Sequence, residues 1–183
     1  MLEQIRETKL LGVLITDDLS WHSNTKMIVH KAYTRMIMLR KLCEFKVCTR
    51  DLIQIYILYI RSVVEQSCVV WGSAITEQEK FDIERIQKTS LRIILHDEYK
   101  SYENALKVTK LPSLNDRRLK LMLNFALKST KNPKTQKMFL TNRVRTTRNT
   151  EKYVVPFART ERYKHSAIPA MARLLNQNER KSK

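Results

Sequence analysis

The sequence predicts an all-α fold: a helical bundle with one short N-terminal strand and a basic, partly irregular C-terminal arm. Three observations lead there. Glycine occurs only at positions 12 and 72 of 183 residues and proline four times, too few for a turn-rich β protein. Apolar residues recur at spacings of three and four through several long segments, the period of one helix face. Beyond Ser129 that periodicity fails while lysine and arginine accumulate: residues 131–164 hold ten of them against two acids, the pattern of a solvated arm. The expected division is therefore residues 1–20 as strand and turn, 21–130 as a helical domain, and 131–183 as the arm with a short terminal helix.

Each element has its own signal. Lys9 to Ile15 is a short apolar, β-branched run closed by Thr16-Asp17-Asp18, a strand and then a turn. A lone strand has no sheet to join, so weak anchoring of the first 18 residues is expected. From about Trp21 to Leu42, Ile28, Ala32, Met36, Leu39 and Leu42 form one stripe. Thr49 can cap the next helix, with Asp51 at its positive end; it runs to about Trp71 with apolar residues on most sides and should be central to the core. Gly72-Ser73 ends it. Thr76 and Glu79 then match a capping box, opening a helix from Glu77 to about Leu95 with Ile83, Ile86 and Ile94 inward. A shorter helix covers about Tyr102 to Val108. Ser113 with Asp116 caps another that carries Leu114, Leu121, Met122 and Phe125 on one face. A last short helix is expected from near Pro169, where proline suits the first turn, over Met171 to Leu175.

Charge is unevenly placed. Residues 1–99 carry 14 Lys/Arg and 13 Asp/Glu, residues 100–183 carry 21 and 5, and the whole chain stands at +17. Such segregation is the footprint of a polyanionic partner, because neutralised phosphates release counterions. Cys43, Cys48 and Cys68 form no CxxC pair, which fits reduced thiols in a cytoplasmic or nuclear setting. Leu52 to Trp71 is interrupted by Gln54, Arg61, Glu65 and Gln66, too polar for a bilayer span. No secretory leader pattern opens the chain, so neither secretion nor membrane insertion is expected.

Little points to chemistry. Asp17-Asp18 after an apolar strand has the look of a carboxylate pair that holds metal in polymerases, yet only Glu3 and Glu7 precede it, and a polar turn accounts for it better. His22, His30, His96 and His165 lack metal-site spacing. No nucleophile elbow or phosphate-cradling glycine loop occurs. Catalytic residues, a metal site and a small-molecule substrate are therefore not expected. Binding remains. In the arm, Phe139, Tyr153, Phe157 and Tyr163 interleave with Arg143, Arg145, Arg148, Lys152, Arg159 and Arg162. These aromatics either stack on unpaired bases or tie the arm to the core. On helices, Arg85, Lys88 and Arg92 share a face opposite the isoleucines, with Arg117, Arg118 and Lys120 as a further set; such faces either track a phosphate backbone or are simply solvated.

A series of motifs follows in order along the chain. Lys9-Leu-Leu-Gly12-Val13 with Leu19-Ser20-Trp21 begins it. Lys31-Ala32 with Leu39-Arg40-Lys41-Leu42 comes next, then Ile55-Tyr56, Tyr59-Ile60-Arg61, Val64-Glu65 and Val70-Trp71. Glu84-Arg-Ile86-Gln87-Lys88 with Leu91-Arg92-Ile93-Ile94 follows, then Tyr102-Glu-Asn-Ala105-Leu106, Leu111-Pro112-Ser113-Leu114 and Arg117-Arg118. In that order the motifs resemble the segment after the palm in LINE-type, jockey-like non-LTR retrotransposon reverse transcriptases, the second and third groups being similar to the first thumb helix and the next. Ser166 to Pro169 and Leu175-Asn176 weakly echo the family's ending; Gln66 stands where an aromatic is usual, and Leu175 where a tryptophan is.

The resemblance implies a reverse transcriptase thumb and C-terminal region without the palm. The Lys9–Ile15 strand would lie beside the primer grip, helices 21–95 would hold the template–primer, and the basic C-terminal part would bind element RNA or target DNA. Any Mg²⁺ would belong to the palm, so no cofactor and no catalysis are implied for this segment, and RNA or an RNA–DNA hybrid is the implied partner. The alternative from another class is a helical protein-interaction module with an incidental basic surface.

Overall fold

The structure is a computed structural model that describes residues 5–141 and 151–181. It is mostly helical with a short two-stranded N-terminal sheet. Described residues within Met1–Ser67 and Ile75–Arg117 form one compact unit, and those within Cys68–Ala74 and Arg118–Lys183 a second. The division thus falls inside a helix near residue 117, where the sequence pattern suggested a boundary after 130. No helix among the described residues is long and apolar enough to cross a membrane.

The first unit opens with a hairpin rather than a lone strand. β1 (Glu7–Leu10) pairs antiparallel with β2 (Val13–Thr16), Leu10 opposite Val13. The two-residue turn is Leu11-Gly12, both at positive φ (48° and 86°), the geometry whose twist suits a hairpin. The sequence hid it because leucine seldom occupies that region. The turn is also held from outside: Gln66 Nε2 donates to the Leu11 carbonyl at 3.4 Å, and the Leu14 amide donates to Asn24 Oδ1 at 3.2 Å. The expected weak anchoring thus meets two side-chain ties.

Helix α1 (His22–Glu44) buries Ile28, Ala32, Met36 and Leu39 of the expected stripe, with Leu42 half-buried at its end, and packs on α5 (Glu77–Leu95). Between them the chain departs from the expected single helix. α2 (Thr49–Ile55) starts on Thr49 itself, with Cys48 in the capping position and no side-chain cap, so Thr49 does not cap it. A π-helical turn, Tyr56–Arg61, follows, then α3 (Ser62–Glu65). Arg35 meets this turn twice: its Nη1 donates to the Tyr59 carbonyl, and its guanidinium carbon sits 4.5 Å from the Tyr59 ring centroid. The helix breaks at Gln66–Ser67, five residues before Gly72, because Ser67 takes a left-handed φ of 52°.

Within α5 the capping box forms as expected: the Glu79 amide donates to Thr76 Oγ1 at 3.3 Å and the Thr76 amide to Glu79 Oε2 at 2.7 Å. Ile83, Ile86, Leu91 and Ile94 are buried, each worth about 1.5–3 kcal/mol of apolar burial. Gln87 is fully buried among them and ties three elements. Its Oε1 accepts from the Tyr56 hydroxyl at 2.7 Å, and its Nε2 donates to Pro112 O at 2.9 Å and Tyr102 Oη at 3.1 Å. α6 (Tyr102–Thr109) ends on Lys110 in the left-handed region.

α7 (Leu114–Lys131) begins after the expected Ser113–Asp116 cap, with the Asp116 amide donating to Ser113 Oγ at 3.1 Å. In the second unit, which also holds α4 (Cys68–Trp71), Met122 and Ala126 of α7 join Phe139, Tyr153, Met171 and Leu175 in one core; Phe125 stays exposed. A bridge pairs Thr141 with Tyr153. After α8 (Glu161–Lys164), α9 (Ala167–Lys181) is longer than the short helix expected. Ion pairs hold its far end: Arg180 to Glu151 at 2.9 Å and Glu179 to Lys152 at 2.8 Å.

Candidate nucleic-acid interface

The buried face of α5 fixes where its other face points. With Ile83, Ile86 and Ile94 inward, Arg85, Lys88 and Arg92 project as an exposed row at spacings of three and four. No ion pair or hydrogen bond holds any of the three among the described residues. All three line a concavity of about 390 Å³, together with Phe81, Tyr99 and Tyr102. Glu84, the one acid among the described residues of that wall, is already engaged. Its Oε1 accepts from the Leu114 amide at 3.1 Å and from the Tyr102 hydroxyl, and its Oε2 from the Asn115 amide at 3.2 Å. The carboxylate thus meets the positive end of α7 and forms no ion pair with the three cations. Burial, then the hydrogen bond to Glu84, holds the Tyr102 phenol well above its ordinary range, so it stays a neutral donor.

A second concavity of about 520 Å³ shares Thr89 and Arg92 with the first and continues to Arg40, Cys43 and His96. Burial, with the neighbouring Glu44 charge second, raises the Cys43 thiol. It remains a thiol that donates to the Ile93 carbonyl at 3.7 Å, not a nucleophile.

The other candidates are placed differently. Arg117 is half-buried in a two-point contact with Glu65, Nε to Oε1 at 3.0 Å and Nη2 to Oε2 at 3.4 Å, beside Arg61. Arg118 is 4% exposed, so its guanidinium belongs to the interior. Arg143, Arg145 and Arg148 lie outside the described residues. Lys152 pairs with Glu179 and sits 5.4 Å from the Tyr153 ring centroid; the Glu179 hydrogen bond raises its pKa. Tyr153 is buried. Its ring meets Phe139 edge-on at 6.5 Å, and Asn176 clamps its backbone, accepting from the amide at 3.0 Å and donating to the carbonyl at 2.9 Å. Of the two roles open to the arm's aromatics, Phe139 and Tyr153 take the structural one, while Phe157 and Tyr163 remain exposed. Arg159 and Arg162 are exposed.

Asp17-Asp18 forms a turn. Asp18 Oδ1 accepts from Thr16 Oγ1 at 2.6 Å and from the Ser20 amide at 2.9 Å, a local use of aspartate before a helix. No cluster of three His, Cys, Asp or Glu side chains suited to a metal occurs among the described residues.

The aromatic wall beside the α5 row is only partly encoded in local sequence pattern. Phe81 was within reach of it, since 81, 85, 88 and 92 share one face. Tyr99 and Tyr102 come from beyond the end of α5 and carry no such signal. Comparison with family models, with curated proteins and with solved structures returned no match.

Proposed function

We propose that this chain is a nucleic-acid-binding segment of the non-LTR reverse transcriptase thumb type, gripping the sugar–phosphate backbone of RNA or an RNA–DNA hybrid without making or breaking bonds itself. The observation that carries the reading is the α5 row: Arg85, Lys88 and Arg92 exposed on one face and held in no ion pair among the described residues. Cations so placed neutralise successive phosphates and release their counterions, which favours binding regardless of sequence. The charge excess beyond residue 99 adds a long-range attraction for the same partner. Arg143, Arg145 and Arg148 with Arg159 and Arg162 extend the basic set in sequence. The ordered motif series from Lys9 to Arg118 supports the thumb assignment, with Asp17-Asp18 a turn and not a catalytic pair.

The test is the salt dependence of binding to a labelled single-stranded RNA and to an RNA–DNA hybrid. Three phosphate contacts give a slope of log K against log salt of about −2 on a single strand. Affinity that stays level between about 50 and 200 mM salt contradicts phosphate gripping and favours a protein partner for this surface.

A further inference from the structure

We infer that the concavity beside α5 is a base-stacking subsite, so that the strand held by Arg85, Lys88 and Arg92 is unpaired there, with one base seated against Phe81, Tyr99 and Tyr102. This rests on the nucleic-acid reading and narrows it from RNA or an RNA–DNA hybrid to a strand that is unpaired at this site.

The chemistry of the wall carries the inference. A duplex offers an α-helix only phosphates and groove edges, and none of these needs an aromatic surface. Phe81 has no polar tip, yet it is 61% exposed beside three cations. Tyr99 and Tyr102 are half-buried in the same wall. An unpaired base supplies what that surface lacks, a flat apolar face to stack, with a phosphate on either side for the cations. The volume of about 390 Å³ falls in the range of pockets that hold small planar ligands, roughly 300–1,000 Å³.

Electrostatics agrees. In that wall three cations face one acid among the described residues, Glu84, whose carboxylate is turned to α7 amides and Tyr102. Geometry gives a track as well as a pocket. Phe81 to Arg92 covers about 16 Å of helix axis, and the second concavity continues past Thr89 and Arg92 between Arg40, His96 and the single acid Glu44 among its described lining, room for several nucleotides.

The full chain is titrated with a labelled oligouridine of about twelve nucleotides and with an RNA duplex of equal length. Phe81→Ala should weaken oligouridine binding about tenfold and leave duplex binding and both salt slopes unchanged, because the cations remain. Phe81→Tyr should restore it. Since Phe81 is exposed, thermal unfolding of both variants should match the parent. An oligouridine carrying 5-iodouridine should cross-link on irradiation to Phe81, Tyr99 or Tyr102. Wild-type affinity in Phe81→Ala, or cross-links confined to other residues, overturns the subsite while leaving phosphate gripping intact. Absence of salt-dependent binding to both nucleic acids overturns the subsite together with the reading beneath it.

Discussion

Arg85 on α5 and Lys152 in the second unit carry the same formal charge in opposite circumstances. Arg85 stands in an exposed row with Lys88 and Arg92, beside an acid whose oxygens are occupied elsewhere. Lys152 is drawn to Glu179, as Arg180 is to Glu151, and Arg118 is buried. The contrast runs against the bulk numbers, because residues 1–99 are nearly neutral and residues 100–183 carry the excess. Net charge reports how many cations a segment has. Which of them are available depends on the packing that surrounds each one.

That contrast can be broken most forcefully at Tyr153, which resembles a stacking residue in sequence and is a core residue in the fold. Tyr153→Ala should cost about 3–5 kcal/mol of stability, read by urea unfolding, through loss of the ring packed on Phe139. A stable variant with weakened RNA binding instead would return Tyr153 to the interface. The next effect belongs to the first unit. Gln87→Leu keeps the volume roughly constant and leaves the buried Tyr56 hydroxyl without its acceptor, a loss of about 1–3 kcal/mol. Coupling to Tyr56→Phe in a double-mutant cycle would locate the loss in that bond; additivity would place it elsewhere.

The smallest effect is at Lys152. Its pKa is raised by Glu179, so the tie is present below the ordinary lysine value of about 10.4 and is lost as pH climbs through the raised one. Both partners are partly exposed, so Lys152→Ala should cost under about 1 kcal/mol. The difference from the parent should vanish at strongly alkaline pH. A larger cost would mean that the pair organises more of the second unit than its own surface.

How much of this could be read beforehand followed from how local each determinant is. The Thr76–Glu79 box and the Ser113–Asp116 cap are satisfied within three residues, and both helix starts were legible. The stripe on α1 was legible too, since one buried face repeats along one helix. The break at Ser67 and the turn at Leu11 were not, because each puts an ordinary residue at positive φ where sequence leads one to look for glycine or asparagine. The subsite was half-legible. Its cations and Phe81 share a helical face, but Tyr99 and Tyr102 reach it only after the chain reverses beyond α5. Gln87 stood inside a quoted motif, yet its three partners come from three other segments of the chain.

The most direct test replaces Arg85, Lys88 and Arg92 together with alanine and measures single-stranded RNA binding across salt concentration. The expected result is a slope of log K against log salt shallower by about 2, with stability within about 0.5 kcal/mol of the parent as for surface changes elsewhere. A slope and affinity equal to the parent's would show that the α5 row is a solvated face and that the grip, if the chain has one, lies elsewhere.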